Sequence, residues 1–186
     1  MKKTLVLLMG VIVALSSAAI AADGMVRCAY DGMEMKASVM KKATVKGETL
    51  YFCNDAQRKA YVKNGNKYRV KAKVGSLSAV VNFLTHKEHA GAMKAMGMEI
   101  KGKQKGTHHV SVYLRDAKGK DVKPTKILLR IKGPKGKAIT TALMWMSSMT
   151  HYGADFDLGA KGNYKITVMM LHAGKQHQTM LKYHVK

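Results

Sequence analysis

Strict alternation of apolar and polar residues in the C-terminal half restricts this chain more than any other feature. Val110, Val112 and Leu114 alternate with polar or partly polar neighbours, as do Ile127, Leu129 and Ile131, then Tyr164, Ile166, Val168 and Met170, and finally Thr179, Leu181, Tyr183 and Val185. A period of two sends successive side chains to opposite faces, so each run is a strand with one face to bury. Turn chemistry separates the runs: a glycine-bearing stretch from Asp116 to Lys120, then Gly133-Pro134-Lys135-Gly136, then Ala173-Gly174-Lys175. Short strands at this spacing predict an antiparallel β-sandwich over 107–186. Met169, Met170 and Met180 are expected to be packing residues within it.

Immediately before the sandwich lies the stretch with the densest chemistry, Thr85 to Met98, THKEHAGAMKAMGM. Thr85 followed by Glu88 is a capping box, so a helix should start at His86 and stop at Gly97. At 100° per residue, His86, His89, Met93 and Met96 share an arc of about 80°, with Lys87 and Lys94 pointing away. Imidazole suits copper, zinc, iron and nickel. Thioether sulfur is soft and neutral, and beside imidazole it favours copper, above all Cu(I). Met98 follows as a further thioether candidate. Methionine on a helix face also fills core gaps, so metal binding and packing are both open here. His108-His109 and the run Met144-Trp145-Met146-Ser147-Ser148-Met149-Thr150-His151 add candidates from the sandwich. Neighbours in a strand point oppositely, so one of His108 and His109 at most joins a given site. In an extended segment Met144 and Met146 share a face, Met149 and His151 can come round to it, and the Trp145 ring is placed to shield a soft cation. A linker of about ten residues separates Met98 from His108. The helix face is therefore expected to fold back on His108 or His109 with Cu(I) between them. His172, His177 and His184 read as surface residues.

The first 21 residues carry two lysines, an apolar run from Leu5 to Leu15 and Ala19-Ile20-Ala21 as a small-x-small cleavage site, the pattern of a secretory signal peptide. Its removal leaves 31 basic residues against 11 acidic ones and thirteen methionines, which avoid 99–143. No other segment is apolar enough to span a membrane. A charge near +20 keeps a lysine-rich surface solvated, or draws the protein to an anionic envelope surface or an acidic partner. Nucleic acid is not the expected partner, because the lysines are scattered without clustered arginine or interleaved aromatics. Catalysis is not expected either. There is no nucleophile elbow, no C-x-x-C-H and no H-E-x-x-H, and the carboxylates are dispersed.

Two cysteines, Cys28 and Cys53, survive into a compartment where thiols oxidise, so they are a disulfide or a metal pair. Around them run Cys28-Ala29-Tyr30-Asp31-Gly32-Met33, then Gly47-Glu48-Thr49-Leu50-Tyr51-Phe52-Cys53, then Tyr61, Asn64 and Tyr68. Over residues 25–68 this resembles the YHS domain, a small metal-associated module related to TRASH domains, with the pattern C-x-x-C-G-M, G-x-x-Y-Y-F-C and C-x3-C ahead of a short helix. Asp31 and Gln57 stand where that family has two of its thiolates, so a four-thiolate zinc site is excluded. Asp31, Met33 or Met35 remain as company for the cysteines. A disulfide would close a loop of about 25 residues and contribute about 3 kcal/mol. The segment from Val45 to Phe52 reads as a hairpin turning at Lys46-Gly47, and Asp55 as the cap of a short helix through Val62. Residues 69–84 read as partly extended and partly helical, and 101–106 as a flexible basic linker.

The C-terminal pattern, with HHV opening a strand, then HYGADF, G-x-Y-x-I and a last hairpin, looks like the immunoglobulin-like sandwiches of periplasmic metal-handling proteins. The expected fold is α+β: a signal peptide (1–21), a YHS-like module (22–70), a Met/His-rich helix and basic linker (71–106) and a β-sandwich (107–186). The expected function is periplasmic binding of a soft metal, copper foremost with zinc or another transition metal as alternatives, for transfer, storage or tolerance, with a periplasmic or membrane metal-transport partner. The competing reading is a disulfide-stapled, strongly basic envelope interaction module without metal.

Overall fold

The computed structural model describes residues 24–100 and 102–186, so the expected signal peptide lies outside the described residues. In chain order the strands and helices are β1 (Met25–Arg27), β2 (Glu34–Lys36), β3 (Lys41–Val45), β4 (Glu48–Phe52), α1 (Asp55–Tyr68), β5 (Arg69–Val74), β6 (Leu77–Thr85), α2 (His86–Ala95), β7 (His108–Arg115), β8 (Asp121–Val122), β9 (Lys126–Lys132), β10 (Ile139–Ala142), β11 (Met144–Met146), β12 (His151–Phe156), β13 (Gly162–His172) and β14 (Lys175–Val185). The chain is mostly antiparallel β. One sheet runs β11-β12-β7-β6-β5 with β8 paired to β7, and a second runs β10-β9-β13-β14.

The two sheets pack face to face on the residues that alternate in the sequence. Ala79, Val81 and Phe83 of β6 and Val110, Val112 and Leu114 of β7 meet Ile127, Leu129 and Ile131 of β9 and Tyr164, Ile166, Val168 and Met170 of β13 in one core. At its edge the Phe83 and Tyr183 rings stack with centroids 3.9 Å apart. The long β13–β14 hairpin turns on Ala173-Gly174, both at positive φ, and β3–β4 turns likewise on Lys46-Gly47. Paired left-handed residues of this kind match the right-handed twist of the flanking strands.

Central strands β6 and β7 are buried on both faces, and this decides where the chemistry sits. The residues between their core positions, Asn82 and Leu84 on β6 and His109, Ser111 and Tyr113 on β7, face away from the second sheet and are buried as well. An N-terminal unit built from β1–β4 and α1 covers them, with its own core of Cys28, Tyr30, Met40, Leu50, Phe52, Tyr61 and Tyr68 joined by Leu84. Polar contacts fix the cover in place. Asn82 donates to the carbonyls of Ala29 (3.1 Å) and Tyr30 (3.2 Å). The buried Arg27 guanidinium donates to the carbonyls of Gly32 (2.7 Å) and Thr150 (2.8 Å) and to Asp121 Oδ2 (2.9 Å), and lies 4.6 Å over the Tyr113 ring.

Several sequence expectations differ from this arrangement. Residues 69–85 are two full strands of the six-stranded sheet, so the sandwich takes in chain that the sequence assigned to the module's end and the linker. Burial on both faces gives β6 a nearly continuous apolar run, which erases the alternation that marks a one-sided strand. α1 continues past Val62 to Tyr68 across a non-helical Asn64, and its cap is Asn54, whose side chain accepts from Gln57 N. Met170 is in the core, but Met169 is only partly buried and Met180 is exposed, because both lie on the uncovered face of β13 and β14.

Candidate metal centre

α2 is laid on the covered face of the six-stranded sheet by its two ends. At its start the Thr85 hydroxyl accepts from Glu88 N (3.2 Å), Glu88 accepts from Thr85 N (2.9 Å), and His86 N donates to Thr107 O (3.1 Å) at the foot of β7. At its end Gly97 stands at φ +70, with Gly97 N donating to Lys94 O and Met98 N to Met93 O. Those two bonds are a Schellman motif, which glycine's tolerance of positive φ permits. The helix begins and stops about where its sequence places it, and it buries His89, Ala92 and Met93 against the sheet.

Three histidines from three elements meet there. The His89 ring of α2 stacks on His109 of β7 with centroids 4.0 Å apart and planes 7° apart, and His151 of β12 lies 6.1 Å beyond His109. Met33, Met93, Met96 and Met149 line the same small cavity with Asp31 and Ser111. The strand register explains the convergence. His109 pairs with Leu84 on one side and Asp155 on the other, so β12 turns His151, Gly153 and Asp155 to the covered face and Tyr152 and Phe156 to the core.

Asp155 sets the tautomer of His109. His109 Nδ1 donates to Asp155 Oδ1 at 3.0 Å, which leaves Nε2 of the neutral ring with a free lone pair. His86 Nε2 lies 3.7 Å from the same carboxylate oxygen, at the rim. Among the described residues, Nε2 of His86, His89 and His109 and both ring nitrogens of His151 are buried without a hydrogen-bond partner. Orphaned polar atoms on this scale are rare in folded proteins, and here they cluster. Burial, together with repulsion from neighbouring positive groups, holds His89 neutral down to about 4 and His151 down to about 3. His109 is lowered too, by burial partly offset by Asp155.

This donor set fits a soft cation. Neutral imidazole nitrogens and thioether sulfurs suit Cu(I), while Ca²⁺ and Mg²⁺ need oxygen ligands that the cavity scarcely offers. His89 and His109 lie in nearly parallel planes, so a cation in the plane of one ring stands off the plane of the other. A cation held by both requires one ring to turn, and binding should therefore end the stack.

The lack of a side chain at Gly153 makes room for His109 and Met146. A Cβ there would stand 2.8 Å from His109 Nε2 and 3.1 Å from Met146 Sδ. Gly153→Ala is thus expected to displace the imidazole or the sulfur and to weaken Cu(I) binding about tenfold, as overpacked sites lose their geometry. A competition titration against a chromogenic Cu(I) chelator measures it, and unchanged affinity would remove His109 Nε2 from the ligand set.

Of the residues singled out in the sequence, His89, His109, His151, Met93, Met96 and Met149 come together in the cavity, with His86 and Met146 at its margin. His108 points to the opposite face, its Nδ1 2.8 Å from Thr107 Oγ1, as alternation requires. Met98 and Met144 are not among the cavity's lining residues. Trp145 does not shield the cavity. It turns edge-on to Tyr152 at 5.1 Å, and the cation over its ring is Lys123, at 4.3 Å. Sequence reasoning missed Asp155, Ser111 and Gln104, whose amide lies 3.5 Å from His89 Nδ1, and it assigned Asp31 and Met33 only to the cysteines. Asp155 had one usable signal, its alternation with Gly153 and His151 in HYGADF.

Cys28, Asp31 and Cys53 form a second cluster, with ligand atoms all within 4.8 Å of one another. Both cysteines are free thiols. Cys28 Sγ donates to Gln57 Oε1 (3.3 Å) and Gln57 Nε2 donates to Asp31 Oδ2 (2.8 Å), while Cys53 Sγ lies 3.8 Å from that oxygen. Burial raises both the Cys28 thiol and the Asp31 carboxyl above their ordinary values. Asp31 borders both clusters, so they share a wall.

No protein-family model matches the chain, and no curated protein matches it in sequence. Among solved structures it is similar to FetP of uropathogenic E. coli strain F11, "as isolated", with a TM-score of 0.48 and 12% identity over 63% of this chain and 93% of that one. It is similar at TM-score 0.49 and 13% identity to a copper-bound variant of the same FetP, over 64% of this chain and 92% of that one. At that distance the chemistry of the centre rests on this chain's own residues. Among the described residues no helix is long and apolar enough to cross a membrane.

Proposed function

We propose that this protein binds copper as Cu(I) in the buried histidine–methionine centre and acts in copper transfer, storage or tolerance in the bacterial periplasm, not in catalysis. The observation that carries the reading is the cluster of orphaned imidazole nitrogens of His89, His109 and His151 inside a ring of four thioethers. Burying unpartnered imidazoles costs stability, so a fold that keeps three of them together is built for something that satisfies them. A neutral donor set suits a monovalent ion, which needs little charge compensation in a chain of net charge +22.

The cysteine cluster supports the YHS-like reading of the N-terminal unit, because the two cysteines and the two residues replacing the family's other thiolates, Asp31 and Gln57, converge in space. That cluster is a secondary locus for copper or zinc. A periplasmic or membrane metal-transport protein would be the exchange partner.

Competition titration of the purified protein, reduced and then oxidised, tests the reading. The reduced protein is expected to take up about one tightly held Cu(I) at the histidine centre. Oxidising Cys28 and Cys53 to a disulfide should leave that ion bound, because none of its expected ligands is a thiol. No uptake in either state would leave the basic interaction module as the function, and uptake lost on oxidation would move the site to the cysteines.

A further inference from the structure

The histidine centre is closed. His109 and His151 are 4% and 2% exposed, and Met93 and Met149 are buried beside them. An ion therefore needs a way in, and a surface as positive as this one repels a free cation. The edge strand β11 offers one. Met144 pairs with Gly153 and Met146 with His151, so both methionines project on the face that carries the centre. Met146 Sδ and His109 Nε2 both crowd the position that a Cβ on Gly153 would take, at 3.1 and 2.8 Å. Two residues along the strand on that face, Met144 is 70% exposed, the most exposed large apolar side chain among the described residues. Trp145 between them faces the other way and is held by Tyr152 and Lys123, which fixes the side to which the two thioethers point. Among the described residues β11 ends its sheet, so no further strand pairs beside Met144.

We propose that Met144 is the capture ligand for this centre, taking Cu(I) directly from a donor that holds it on thiolate or thioether sulfur and passing it through Met146 to His109. The inference rests on the copper reading above. Each step is a ligand exchange in which one bond to copper forms as another breaks. Cu–S(Met144) replaces a donor bond, Cu–S(Met146) replaces Cu–S(Met144), and Cu–Nε2(His109) completes the transfer. Copper stays Cu(I) throughout, no electron moves, and a thiolate left on the donor takes a proton from water. Residues i and i+2 on one strand face stand about 7 Å apart, a gap that two flexible methionine side chains span between them. Neutral sulfur carries the ion without a carboxylate, and none of the three relay residues has to change its protonation.

The test is rapid-mixing transfer of Cu(I) from its glutathione thiolate complex to the metal-free protein, comparing wild type with Met144→Leu at one ionic strength. Leucine is close in volume and the site is exposed, so the variant should melt like the wild type. Uptake is expected to slow about tenfold while equilibrium affinity stays within about twofold. Unchanged uptake would overturn the relay. So would an affinity loss matching the rate loss, since Met144 would then be a resident ligand. Failure of the wild type to take up copper at all would instead overturn the copper reading on which the relay rests.

Discussion

His151→Leu is expected to bind Cu(I) about 100-fold more weakly than the wild type and, at the same time, to make the metal-free protein more stable. Neither ring nitrogen of His151 has a hydrogen-bond partner among the described residues, and the side chain is almost fully enclosed. An unmatched buried polar group costs about 1–3 kcal/mol, and an apolar residue of similar size removes that penalty. The stabilisation should therefore be on the order of 1–3 kcal/mol, read as a shift in the denaturant midpoint at constant slope. Opposed effects separate the functional account from plain core packing. A packing histidine replaced by leucine would change stability alone, and a surface ligand would change affinity alone. A variant that loses stability and keeps its affinity would remove His151 from the centre.

The second large effect is acid sensitivity of the metal-free protein. Both His89 and His151 have folded pKa values, about 4 and about 3, below the ordinary 6.5. Between those limits the unfolded chain binds protons that the folded chain refuses, so stability is present in full above pH 6.5 and drains away as pH falls towards 3–4. The loss between pH 7 and pH 4 should be on the order of 5 kcal/mol, comparable with the whole stability of many small domains. His109 and His108, both lowered by burial, act in the same direction. Asp31 opposes them, because burial raises its carboxyl and the folded state keeps that proton more readily. Urea midpoints at pH 7, 5.5 and 4 measure the sum. A His89→Leu/His151→Leu double variant should lose most of the slope, and the same slope in both proteins would show that other groups drive acid unfolding. Copper should raise the midpoint at each pH without flattening the slope, since a ligated imidazole refuses the proton just as the buried one does.

Parts of this protein follow from the sequence alone because they depend on short-range geometry. The capping box at Thr85 and Glu88 and the glycine at 97 delimit α2, and the helical period puts His86, His89, Met93 and Met96 on one side of it. The strand period separates His108 from His109 and picks out the residues of β9, β13 and β14 that fill the sandwich core. For Cys28 and Cys53 it was the YHS-like resemblance, not short-range geometry, that implied they lie together.

Long-range pairing decided the rest. β6 joined the sandwich because burial on both faces outweighs an ambiguous local pattern, and this moved residues 69–85 out of the linker. The register of β12 on β7 brought Asp155 opposite His109 and put His151 on the same face four residues away, and a slip of one residue would have sent both into the core. Docking of the N-terminal unit on Asn82, Ser111 and Tyr113 carried Asp31 and Met33 into a centre far from them in sequence. Periodicity tells which side of an element a residue occupies. Which other element comes to meet that side is set by the burial of whole faces, and that depends on contacts between distant parts of the chain.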